Sequence, residues 1–347
     1  MNFINAYSIH TMKVNHIYAS ALAPHIEGFL ARQSAFGIDT DRFEYLLANV
    51  DKFACRKGIT STSQMTREFF VEWQSSLVND HEKTVYHKLI TLRQFLVYLN
   101  TTGHPCHIPA LPKTPYNDFK PYIFSREQMM EIFAEFDKLS ALDYRMGVAT
   151  FSMPAMIRTL YSTGMRVSEC TSLKNKDVDL AKGVIHIRVS KNRQERIAAI
   201  SDTLNGVLRQ YLKHRNQLSL PSIEEADRPF FIKTDGTAVV SHRLLDRFHR
   251  VLKKCKIPET PSERLPRVHD IRHTFAVHNM ENMLNEDIDL YTAMPILMTA
   301  LGHTSLASTG EYVRLTAAMH PHLKNQCKPL NNLIYNGHGK APKIEDD

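Results

Sequence analysis

The chain has 347 residues, 43% of them apolar, which is enough material for two domains with real cores. Its net charge of +7 and pI near 9.0 suit a polyanionic partner, although a basic balance alone names none. No uncharged apolar run reaches membrane-spanning length, and the opening MNFINAYSIHTMKVNHIY lacks the basic stretch and apolar core of a secretion signal. Five scattered cysteines, Cys55, Cys106, Cys170, Cys255 and Cys327, argue for a reducing compartment and against a disulfide framework or a cysteine-based zinc site.

In chain order, the first half reads as helices. Phe43, Leu46, Leu47, Val50 and Phe53 recur at helical spacing before a stop at Gly58. SQMTREFFVEWQSSLV places Phe69, Phe70, Trp73 and Leu77 on one face, and EKTVYHKLITLRQFLVYLNTTG does the same with Val85, Leu89, Leu92, Phe95, Leu96 and Leu99. These predict a small bundle with an aromatic core over residues 1–106. Pro105, Pro109, Pro112, Pro115 and Pro121 then oppose helix and predict an extended linker over 107–122. The linker ends at a sharp helix start, where Ser125 and Gln128 form a capping-box pattern and Phe124 and Met129 a hydrophobic staple.

The region 123–320 is mixed. A helix through MIRTLYSTGMR breaks at Gly164. GVIHIRVSKNRQERIAAI alternates apolar and polar residues and turns over at 192–194, which predicts a β-hairpin. Helices follow around LNGVLRQYLKH, HRLLDRFHRVLKK, HDIRHTFAVHNM and LYTAMPILMTALGH. The expected fold class is therefore mainly α with a small β-sheet (α+β). Residues 321–347 are polar and read as a tail or arm. The first 118 residues carry a charge of only +1, so the positive excess lies in the second half.

That half also carries five short signals in order: TGMRVSE around Arg166, SKNRQER around Lys191, HDIRHTFA with His269 and Arg272, LGHTS with His303, and EY with Tyr312. Each alone has a plain explanation. Arg166 and Lys191 are ordinary surface charges, the His269 and His273 pair at i,i+4 is a helix face, and Tyr312 is a half-buried core residue.

As an ordered set they resemble the tyrosine recombinase (phage integrase) family over about residues 155–315. The family's G-x-R-x-x-E box is filled by Gly164, Arg166 and Glu169, its hairpin lysine by Lys191, and its His-x-x-Arg pair by His269 and Arg272. Its Leu-Gly-His box is filled by Leu301, Gly302 and His303, and its nucleophile, nine residues on, by Tyr312. Ile271 stands where leucine is frequent, and the turn after Lys191 has no glycine. The helical first half resembles the family's core-binding domain only in size and helix content. LYTAMPILMTALGH looks more like mobile-element members than chromosome-dimer resolution enzymes.

The resemblance implies a site-specific DNA strand transferase whose two domains clamp duplex DNA. Arg166 and Arg272 would hold the phosphate oxygens with forked, always-charged donors, and His303 would add a hydrogen bond. Tyrosine, with a pKa of about 10, needs a base, and the resemblance gives that role to His269. Lys191 would protonate the leaving 5′-oxygen, and Glu169 would support an arginine. A 3′-phosphotyrosyl link conserves the energy of the cut bond, so no nucleotide cofactor or metal is expected. A homo-tetramer on two paired sites, a cytoplasmic, nucleoid-associated location and an exchange role for 321–347 follow from the same resemblance.

Three rivals remain in view: a type IB topoisomerase, a catalytically silent DNA-binding relative, and a zinc hydrolase built on HDIRH. The last resembles H-E-x-x-H, but it has Asp270 for the glutamate and Arg272 between the would-be ligands.

Overall fold

A computed structural model describes residues 16–115, 120–142, 149–188, 195–260 and 264–320. The chain forms two compact units that part between Phe119 and Lys120, within the proline-rich 107–122 stretch. Lys191 and the 321–347 segment lie outside the described residues.

The first unit is helical: α1 (Ala23–Ala35), α2 (Asp41–Arg56), α3 (Arg67–Ser75) and α4 (Glu82–Thr101). Phe29 of α1 meets Phe43 of α2 and Phe95 of α4 edge-on, at ring separations of 5.1 and 5.5 Å, the geometry aromatic quadrupoles favour. Trp73 is fully buried, and its indole N–H donates to Asn49 Oδ1 at 3.0 Å. α3 ends two residues before Leu77, because Ser75 and Ser76 turn their hydroxyls back onto the Val71 and Trp73 carbonyls. Leu77 nonetheless stays buried in the same core. Asp51, buried in α2, accepts hydrogen bonds from the Ala19 and Ser20 amides and the Ser20 hydroxyl, so the strand of chain before α1 is fastened to the bundle.

The second unit is mainly helical with one small sheet. α5 (Arg126–Leu142) starts at the expected reciprocal cap, with the Ser125 amide donating to Gln128 Oε1 at 2.9 Å and the Gln128 amide to Ser125 Oγ at 3.1 Å. α6 (Met153–Thr163) stops at Gly164, which takes the left-handed conformation with φ of 61°. α7 (Val167–Thr171) follows after two residues. The strands β1 (Val178–Asp179), β2 (Val184–Ile187) and β3 (Arg196–Ala199) form an antiparallel meander in the order β1-β2-β3, with Ile187 opposite Arg196. Period-two alternation buries Ile185 and Ile187. α8 (Asp202–Arg215) and α9 (Ser241–Lys254) complete a core with α5 and α6.

A second core in this unit joins α10 (Val268–Asn285), α11 (Leu290–Leu301) and α12 (Leu306–Met319) through Phe275, Met280, Met294, Leu297 and Val313. Asp289 caps α11 by accepting from the Tyr291 and Thr292 amides. Gly302, with φ of 65°, ends it. Thr274 of α10 accepts the Phe124 amide at 3.0 Å, which ties the start of α5 to the middle of α10. Among the described residues, no helix is long and apolar enough to cross a membrane.

Gly164 is needed twice over. Its φ is positive, and a Cβ there would run into the Phe275 ring of α10. Gly164→Ala is expected to lower unfolding free energy by at least about 2 kcal/mol. Denaturant unfolding checks this, and a midpoint equal to wild type would contradict it.

Candidate active site

The site is built on one buried carboxylate. Glu169, with a side chain 1% exposed, sits in the first turn of α7. Its Oε2 accepts the Arg166 amide at 2.8 Å, and its Oε1 accepts Arg166 Nη1 at 2.9 Å. From β3, Arg196 donates Nη1 and Nη2 to the same two oxygens at 3.0 and 2.7 Å. This forked pairing is the arrangement that gives arginine its geometric specificity. Arg196 also donates Nε to the Ala300 carbonyl at 3.1 Å, and its Cδ lies 3.1 Å from where a Cβ on Gly302 would stand. Burial pushes the Glu169 carboxyl upward, but the bonds and charges of Arg196 and Arg166 outweigh it and hold the group below its ordinary value.

Arg272, on the second turn of α10, is held by carbonyls from two other elements. Nη1 donates to Gly164 O at 2.8 Å and Nη2 to Leu301 O at 2.6 Å. Both acceptors belong to glycine turns, one ending α6 and the other ending α11. Two of its five N–H donors are thereby committed, and the side chain still lines the cavity described below. Burial, then the charge of Arg166, lowers its pKa to about 10, so it stays a cation at neutral pH.

His303 follows Gly302, and its Nδ1 is 3.0 Å from the Thr309 hydroxyl of α12. Three residues along α12, Tyr312 is 4% exposed and stacks parallel to His303 at a ring separation of 6.0 Å. The Tyr312 hydroxyl lies 3.1 Å from Nδ1 of His273. Burial raises the Tyr312 pKa, with Arg272 acting in the opposite sense. His273 and His303 are both lowered to about 4, first by burial and then by surrounding arginines, so both rings are neutral at physiological pH. His269 shifts the same way for the same first cause, though its side chain is exposed at the start of α10 and its ring meets His273 edge-on at 5.0 Å.

Arg166, His269, Arg272, His303 and Tyr312 thus line one open cavity of about 180 Å³, together with His273 and Glu311. Lys191 is the one expected site residue outside the described part, and it falls in sequence between strands β2 and β3. Asp270 turns away to cap its own helix, accepting the Arg267 amide at 2.7 Å and Arg267 Nη2 at 3.0 Å. It is therefore not placed as a glutamate-like base beside His269 and His273. Among the described residues, no three His, Cys, Asp or Glu side chains are grouped to hold a metal ion.

Sequence reasoning passed over three participants. His273 was visible in HDIRH but reads there as a helix-face neighbour. Arg196 was visible only as an alternating position of a strand. Thr309 carries no signal, since its partner His303 is known only once α12 turns back beside α11.

The cavity residues lie in a region that matches a known family. Residues 124–319 fit the sequence model described as the phage integrase family. The chain is 26% identical over 280 residues to a protein named tyrosine recombinase XerC from Halalkalibacterium halodurans, covering 79% of this chain and 86% of that one. Its fold is similar to a crystal structure of the XerH site-specific recombinase bound to its palindromic substrate after cleavage, with a TM-score of 0.61 and 18% identity. That match covers 88% of this chain and 84% of the other. A transposon integrase in complex with a circular intermediate DNA is similar at a TM-score of 0.59 and 16% identity, over 83% of this chain and 94% of that one.

Glu169 is expected to stabilise the unit in a pH-dependent way. Its folded pKa lies below the ordinary 4.5, so its contribution is full above that value and is lost as pH falls through the folded one. Glu169→Gln should cost about 3 kcal/mol at neutral pH, by leaving two guanidiniums without their anion. The gap to wild type should close in acid. Unfolding curves across pH check this, and a gap independent of pH would contradict it.

Proposed function

The chain belongs to the phage integrase family, and we propose that it exchanges DNA strands through a covalent 3′-phosphotyrosyl link at Tyr312. The observation that carries this reading is the convergence of Arg166, Arg272, His303 and Tyr312 on one cavity from four separate places in the chain. A phosphodiester is anionic, and its pentacoordinate transition state gathers more charge on the non-bridging oxygens. Two fixed guanidiniums supply that stabilisation without reorganising at the moment of reaction. Arg166 is held by Glu169 and Arg272 by two backbone carbonyls, so each is aimed before substrate arrives. His303 is fastened through Nδ1 to Thr309, which leaves Nε2 as its group for a phosphate oxygen.

In the forward step the Tyr312 O–H bond breaks and its proton passes to a neutral imidazole. The tyrosine oxygen bonds to phosphorus, and the bond from phosphorus to the 5′-oxygen breaks. Lys191, which falls in sequence between β2 and β3, protonates that leaving oxygen. A 5′-hydroxyl of the partner duplex then reverses the chemistry and completes the exchange. Moving both strands between two duplexes cuts four phosphodiesters, and each cut occupies one tyrosine, so four copies on two paired sites are the working unit. The mobile-element role rests on the likeness of LYTAMPILMTALGH to such members, and the fold shared with a transposon integrase supports it. The place of action is the cytoplasm, on nucleoid DNA.

Three measurements test this reading. Wild-type protein and Tyr312→Phe are incubated, without added metal, with a nicked duplex built from the DNA flanking the gene. A protein–DNA adduct that survives denaturation should form with wild type and vanish in Tyr312→Phe, and its persistence in the variant would move the nucleophile elsewhere. On paired sites, joined products of both parents are expected; relaxation of supercoils with no exchanged product would indicate a topoisomerase. DNA retention should also fall steeply with salt, because phosphate contacts release counterions.

A further inference from the structure

We infer that His273, rather than His269, takes the proton from Tyr312 when the tyrosine attacks the phosphate. The inference rests on the strand-exchange reading above and adds a catalytic residue to it. Three histidines line the cavity, and the structure gives each a different situation. His303 commits Nδ1 to Thr309, and its ring lies parallel to that of Tyr312 at a centroid separation of 6.0 Å. His269 begins α10 at the exposed rim, with its ring edge-on to His273. His273, one helical turn deeper, has Nδ1 3.1 Å from the tyrosine oxygen, within the reach a general base needs.

Burial and charge keep the His273 ring neutral. The ring is half-buried beside Arg267, Arg272 and His303, which disfavour the imidazolium. A neutral imidazole carries one N–H, and a hydroxyl that is itself protonated donates to the bare nitrogen. In the tautomer that a base requires, Nδ1 is bare, Tyr312 donates to it, and the His273 proton sits on Nε2.

Without substrate, burial and then the surrounding cations make this base weak, and burial keeps the tyrosine protonated, so the pair is inert. A phosphodiester bound by Arg166 and Arg272 brings an anion into the same cavity. That anion offsets the arginine charges and raises the affinity of His273 for a proton. The base therefore gains strength when the target of attack is in place. In the step itself, the O–H bond of Tyr312 breaks, Nδ1 gains the proton, and the oxygen–phosphorus bond forms. The bond to the 5′-oxygen breaks, with its proton supplied from Lys191. Rejoining returns the proton from Nδ1 to the tyrosine oxygen.

A leaving group that needs no proton separates base from acid. Single-turnover adduct formation is measured on the nicked flanking-DNA duplex and on the same duplex with sulfur in place of the 5′-bridging oxygen. Wild type, His273→Asn, His269→Asn and Lys191→Ala are compared. His273→Asn should be slowed on the order of 100-fold on both duplexes. Lys191→Ala should be slow on oxygen and restored by sulfur. His269→Asn should be at least about tenfold faster than His273→Asn on the sulfur duplex. Should His273→Asn lose retention of DNA, His273→Gln is read by the same criteria. A His273 variant that cuts like wild type, is restored by sulfur, or outpaces His269→Asn would overturn the inference while leaving the strand-exchange reading intact. No adduct with wild type on either duplex would sink that reading and the inference together.

Discussion

The structure of the second unit turns on the contact between Glu169 and two arginines. A carboxylate with both oxygens buried is unfavourable unless its lone pairs are answered, and here two donors from Arg166 and two from Arg196 answer them: one amide and one guanidinium nitrogen from the former, two guanidinium nitrogens from the latter. The result joins α7 to β3. Arg196 then carries the connection to the end of α11 through the Ala300 carbonyl. The element that bears Arg166, strand β3 and the turn before His303 are thereby locked to one anion.

Arg272 makes a complementary frame from uncharged groups. Its two guanidinium nitrogens reach the carbonyls of Gly164 and Leu301, which become available because α6 and α11 both end at left-handed glycines. A helix end normally leaves carbonyls to water; here a buried cation answers them. The same geometry brings Arg272 and Arg166 into one cavity, and their mutual repulsion is the second cause, after burial, of the lowered Arg272 pKa. Like charges held this close mark a place where an anion is expected. Burial, and then the same field, keeps the histidines neutral, which suits hydrogen bonding and proton acceptance better than charge.

Much of this was legible before any coordinates. The period of Phe43, Leu46, Leu47, Val50 and Phe53 marked α2, the Ser125 and Gln128 pair marked the start of α5, and the alternation through GVIHIRV marked β2. The order of the Arg166, His269, Arg272, His303 and Tyr312 boxes pointed to the family now matched over residues 124–319. What stayed hidden has a common physical cause. The bonds of Arg196 to Glu169 and of Tyr312 to His273 join residues 27 and 39 positions apart. One sequence carries no trace of such pairings, because the partners follow from how helices turn back, not from local pattern. The extra two residues assigned to the α3 face were a smaller loss: Leu77 is buried as its spacing suggests, but serine hydroxyls unwind the helix before it.

The most direct test of the account is the chemical identity of the covalent link. Wild-type adduct on flanking DNA would be trimmed with nuclease and protease, and the remaining peptide–nucleotide sequenced by mass spectrometry. The account expects a single nucleotide joined through its 3′-phosphate to the peptide containing Tyr312, with the modification on the tyrosine itself. A link to another residue, or one made through a 5′-phosphate, would contradict it.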